Sequence, residues 1–202
     1  MSDSTVLKSL DSINVSIIKA GSYLKVAPTE KLSLQVYHPS FTTFNKLYFG
    51  EINSNGEFNW LADIPGSRNE IVPDNFGYDI KTNRLNLMTA SKPLMSLVFT
   101  NISLLLPAQY TNANTTAYLV YNDSKSVVNL YGNTDTKKFV GIKLPGGKAA
   151  AVVVLIKQGN DYYAAFKPVT TNGNTGSIVN QIVTVLPTKI TLEAMQQLLN
   201  AL

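Results

Sequence analysis

The sequence predicts an all-β protein: an antiparallel β-sandwich, jelly-roll-like, with a short C-terminal α-helix. Three observations predict it. Apolar and polar residues alternate at period two in short segments, Asn- and Gly-rich turns separate those segments, and helical patterns do not alternate with strands as a doubly wound parallel sheet requires. The chain has 202 residues and is 45% hydrophobic and only 15% charged, enough apolar material for a sizeable core. The expected organisation is an N-terminal arm over residues 1–12, a sandwich over 13–186 and a terminal helix over 187–202.

Val6, Leu10, Ile13 and Ile17 recur at helical spacing, so residues 5–12 carry a helical reading within the arm. From Ile13 the β-branched bias favours strand: Ile13, Val15 and Ile17 alternate with Asn14 and Ser16, and Leu32, Leu34 and Val36 with Ser33 and Gln35. Segments 46–52 and 57–62 flank Asn53-Ser-Asn-Gly56, whose Asn and Gly tolerate positive φ, and predict a hairpin. The pattern breaks over 63–77 around two prolines, which predicts a long loop and a candidate site. Apolar segments return at 84–88, 95–106, 117–121, 126–131, 139–144, 149–156, 162–166 and 178–185. After Pro187, Thr191 is placed to cap a helix with Glu193 in its first turn. Leu192, Met195, Leu198, Leu199 and Leu202 fall on one apolar side of it, to be packed on the chain's own sandwich or on a neighbouring subunit.

Residues that carry chemistry are sparse. Without Cys, disulfide scaffolds, thiolate metal sites, iron–sulfur clusters and cysteine nucleophiles are excluded. His38 is the one imidazole; it precedes Pro39 and has no Gly-x-Ser-x-Gly elbow to serve, so no serine-hydrolase triad is expected. Glu51 and Glu57 bracket the hairpin as solvating charges, and Glu70, Asp74 and Asp79 offer oxygen ligands without EF-hand spacing. Leu144-Pro-Gly-Gly-Lys148 and residues 172–177 lack the frame of a phosphate loop and read as turns. No cofactor, no metal and no catalysis are expected. Tyr48, Phe49, Phe58 and Trp60 read as core aromatics of the hairpin, whereas Tyr110, Tyr121 and Tyr131, near loop ends, read as an exposed binding rim.

Seventeen basic and 13 acidic residues give a net charge of +4. The one locally basic stretch, Lys137, Lys138, Lys143, Lys148 and Lys157, supports at most a weak polyanion contact. Arg occurs only at Arg68 and Arg84, so sequence-specific nucleic-acid binding is not expected. The first residues lack both a basic and an apolar signal region, and no signal peptide is expected. The longest apolar run, 149–156, is far short of the roughly 20 residues of a membrane-spanning helix. These features imply a structural, assembly-type role. The expectation is a viral or phage virion component (capsid, spike or decoration protein), assembled in the host cytoplasm and held by other copies of itself or other particle proteins. The alternative is a carbohydrate- or receptor-binding β-sandwich module that uses the Tyr- and Asn-rich loops.

Overall fold

Backbone ladders in the computed structural model, which describes residues 6–38, 45–52, 58–64, 67–124, 126–133 and 138–200, fall into two sets. The first comprises β1 (Leu7–Val15), β2 (Ile18–Lys19), β3 (Ser22–Tyr23), β4 (Leu32–Tyr37), β5 (Lys46–Ile52), β6 (Phe58–Ala62), β7 (Glu70–Pro73), β8 (Gly77–Thr82) and β9 (Asn86–Pro93). The second comprises β10 (Phe99–Leu105), β11 (Thr115–Tyr121), β12 (Ser126–Asn133), β13 (Lys138–Pro145), β14 (Ala149–Gln158), β15 (Asp161–Thr170), β16 (Ile178–Thr184), β17 (Thr188–Ile190) and helix α1 (Leu192–Asn200). The protein is therefore all-β, with one short C-terminal helix among the described residues. It folds as two compact units, one mainly Leu7–Pro93 and the other mainly Leu94–Leu202.

The first unit is a small sandwich. Its four-stranded sheet, ordered β1-β9-β5-β6, and its three-stranded sheet, ordered β4-β8-β7, share one core. Cross-strand register explains which residues meet there: Ile13 lies opposite Met88 and Met88 opposite Phe49, so all three point to one face. Leu34, Ile80 and Ile71 are likewise in register across the second sheet. Full burial of such a side chain, as at Phe49, Ile80 and Met88, is worth about 1.5–3 kcal/mol. The long loop expected over 63–77 instead contains β7. Asp63 accepts hydrogen bonds from Ser67 Oγ and Asn69 Nδ2, and Asn69 Oδ1 accepts from Thr82 Oγ1, which fastens the segment to β8.

In the second unit, eight strands form one curled sheet, ordered β16-β10-β13-β12-β11-β14-β15-β17. The curl arises at β12, which changes partner midway: Ser126–Leu130 pair with β11 and Tyr131–Asn133 with β13. Ile102, Leu104, Leu119, Leu130, Leu144 and Val152 are fully buried on its inner side. Tyr121 crosses that interior, its hydroxyl donating to the Pro145 carbonyl at 2.9 Å, and burial, with Asp123 second, pushes its phenol well above the ordinary tyrosine range. Side chains tie the end strand β16 to β15 and the segment that follows it. Gln181 of β16 donates to Thr170 O and accepts from Asn172 N, and Lys167 Nζ donates to Thr184 O at 2.9 Å. Among the described residues the strands pair antiparallel, as expected, apart from β10 with β16, which is parallel.

Two further expectations change. From Leu7 onward the N-terminal arm expected over 1–12 is strand β1, in register with β9 from Leu7↔Pro93 to Val15↔Asn86. A shift between Ser9 and Asp11 inserts one extra residue in β1, so its apolar spacing mimics a helix while the backbone stays extended. The body expected over 13–186 divides near Pro93 into the two compact units, a boundary that the sequence does not announce because Pro93 is still paired with Leu7 at the end of β9. Replacing Tyr121 with Phe removes the hydroxyl that satisfies Pro145 O; a urea titration should show unfolding free energy lowered by about 1–2 kcal/mol, and unchanged stability would show that this bond contributes nothing.

Candidate functional site

The tyrosines expected as an exposed rim take three different positions. Tyr121 is a core residue because β11 alternates Ala117, Leu119 and Tyr121 inward. Tyr110 is also buried, its ring 5.8 Å from that of Tyr163, and Tyr131 is half-buried. Tyr110 nevertheless joins Asn112, Asn133 and Lys138 around a hollow of about 320 Å³. Packing is close there: a Cβ on Gly132 would lie 2.5 Å from Asn112 Cβ.

Helix α1 is built as its sequence implies. Thr191 Oγ1 accepts from Ala194 N at 3.1 Å, and hydrogen bonds to its own backbone and to Thr191 hold the Glu193 carboxyl below its usual range. Of the apolar side, Met195 is buried and Leu198 half-buried, whereas Leu192 and Leu199 are exposed; Leu202 lies outside the described residues.

The basic stretch does not gather into one patch. Lys138 borders the hollow, Lys143 lies over the Phe99 ring at 5.8 Å, Lys148 pairs with Asp123 at 3.4 Å, and Lys157 is an exposed residue at the end of β14. Lys137 lies outside the described residues. The amides of Gly146 and Gly147 are already committed, donating to Val98 O and Thr171 O, so this turn has no donors aimed at an anion. Among the acids, Glu70 pairs with Lys31, Asp74 with Gln35 and the amides of Phe76 and Gly77, and Glu51 with Arg84, while Asp79 is half-buried within β8. Glu57 lies outside the described residues, and among those described no group of three or more His, Cys, Asp or Glu could hold a metal ion.

The first unit carries a cleft of about 660 Å³ that sequence reading missed, because its walls come from segments far apart in the chain. The β2–β3 hairpin, turned by Ala20 (φ 50°) and Gly21 (φ 80°), presents Tyr23. Glu51 comes from β5, and Asn83 and Arg84 from the link before β9. The Arg84 guanidinium pairs with Glu51 and stacks 4.0 Å above the Phe49 ring, while Arg84 N and Asn83 N are held by Thr82 Oγ1 and Asn69 Oδ1. The 74% exposed Tyr23 ring and the Glu51–Arg84 pair are the surface features of this cleft, the Arg84 and Asn83 amides being already bonded. Phe58 and Trp60, expected as core, meet edge to face at 5.2 Å on one sheet face, with Phe58 exposed and Trp60 half-buried.

A second feature is the outer face of β16, β10 and β13 in the other unit. Ile178 and Ile182 (64% exposed) project from β16, and Ile142 (65%) from a bulge in β13. Lys143 (φ 52°) completes that bulge, its amide donating to Asn101 Oδ1; Asn101 Nδ2 in turn donates to Asn180 Oδ1 at 2.9 Å. Leu97 (92% exposed) and Phe99 border a hollow beside Ile178. No protein-family model matches this chain, and no curated protein matches it.

Proposed function

We propose that the chain is a structural, assembly-type protein, a viral or phage virion component of the capsid, spike or decoration kind, that acts through protein–protein contacts. The observation that carries this reading is the apolar outer face of β16, β10 and β13. Ile142, Ile178 and Ile182 stand exposed beside the Asn101–Asn180 ladder and the Lys143 bulge, with Leu97 bordering the hollow at Ile178, and exposed apolar residues grouped in this way mark interaction sites. The scarcity of charge supports it too: no Lys, Arg, Asp or Glu occurs from Pro168 to Thr188. Among the described residues no helix is long and apolar enough to cross a membrane.

Purified chain should form symmetric oligomers burying more than about 1,000 Å² per contact. The double substitution Leu97→Asp with Ile142→Asp should reduce their mass in analytical ultracentrifugation while circular dichroism stays that of a strand-rich fold. A monomer at every concentration would refute the assembly reading.

A carbohydrate- or receptor-binding role is the second reading, favoured by the Tyr23–Arg84 cleft. A glycan array probed with the chain should then show one sugar class, and Tyr23→Ala, which removes an exposed ring, should weaken binding roughly tenfold. An array blank across sugar classes removes this reading.

A further inference from the structure

The eight-stranded sheet ends at β16, whose second edge has no backbone partner among the described residues. Natural edge strands are protected by charges, prolines, bulges or short length. Strand β16 itself contains none of these, and Lys167 of β15 caps only its last carbonyl: Ile-Val-Asn-Gln-Ile-Val-Thr runs for seven residues, rich in β-branched side chains. The groups facing the open edge can be assigned from the alternation of a parallel ladder. Val185 N donates to Leu105 O across the β10 side, so the odd-numbered residues of β16 face β10 and Ile178, Asn180, Ile182 and Thr184 face outward. Lys167 Nζ confirms this orientation by taking the Thr184 carbonyl from the open side.

We infer that β16 pairs with β16 of a second copy of this chain, antiparallel, about a two-fold axis at Asn180. The inference rests on the assembly reading and specifies one of its contacts. In this register Ile178 lies opposite Ile182 of the second copy, Ile182 opposite Ile178, and Asn180 opposite itself. All the open groups from Ile178 to Ile182 are then paired, by roughly six backbone hydrogen bonds. Moving the axis to Gln181 would require the Thr184 carbonyl, which Lys167 already occupies. The exposed isoleucines cover one another, and the Asn101–Asn180 ladder continues across the axis.

Charge argues for a second copy as the occupant. A chain of net charge +4 repels itself in general, yet the uncharged stretch from Pro168 to Thr188 lets two copies meet here without that penalty. The flanking Lys167 pair would sit at opposite ends of the joined strands, more than about 20 Å apart. Joining two strands of this length, with their outer-face side chains, buries on the order of 1,000 Å² in total, the size of a concentration-dependent contact.

The absence of natural Cys makes a clean test available. Asn180→Cys should form an intermolecular disulfide on mild oxidation, because the paired Cα atoms would be about 5.5 Å apart. Ile178→Cys alone should not, its two copies being about 13 Å apart, but Ile178→Cys combined with Ile182→Cys should. Ile182→Lys, which places a charge on the edge, should abolish the contact, with thermal unfolding recorded to show that the fold is retained. Oligomers that persist in Ile182→Lys, together with no cross-link at residue 180, would overturn this register and leave assembly through another surface. A wild-type chain that is monomeric at every concentration would overturn the register and the assembly reading together.

Discussion

One strand serving two partners governs the second unit. Because β12 pairs with β11 through Leu130 and with β13 from Tyr131 onward, a single sheet turns back over its own inner face, and Leu119, Leu130 and Leu144 leave water together. Tyr121 fixes the spacing across that interior through Pro145 O. A complete barrel would have removed both sheet edges. Here the closure is made by Gln181 and Lys167 side chains, which hold β16 near β15 without using the backbone groups of Ile178, Asn180 and Ile182. The device that encloses the core therefore also leaves an edge unpaired.

The two units distribute their polar groups differently. In the first, the arginine and acid nearest the surface cleft neutralise each other, and asparagine and threonine side chains fix the backbone around them. In the second, the outer sheet face carries the Asn101–Asn180 ladder and the Lys143 bulge beside the exposed Ile142, Ile178 and Ile182. The low fraction of charged residues accounts for both the large core and the apolar outer face, since few side chains remain to solvate the strands.

Most strands were legible in the sequence because one face of each is buried. The alternation of Leu32, Leu34 and Val36, the hairpin across residues 53–57 and the Thr191 cap all follow local rules that the tertiary structure respects. Local rules failed where a non-local constraint took over. The extra residue in β1 disguised its period, and the chain divides at the end of β9, where Pro93 still reads and pairs as strand. Tyr121 looked like a loop-end rim residue until its phase with Leu119 placed it inside. The outer face of β16 was hidden for another reason: Val179 and Val183 are apolar in one phase and Ile178 and Ile182 in the other, a pattern that reads as burial on both sides.

Amide hydrogen exchange of β16, followed as protein concentration is raised, tests most directly whether this edge is made for a second copy. The amides of Ile178, Asn180 and Ile182, which face away from β10, should gain protection with concentration, while those of Val179 and Val183 stay protected throughout. Outward amides that exchange at the same fast rate at every concentration would contradict it.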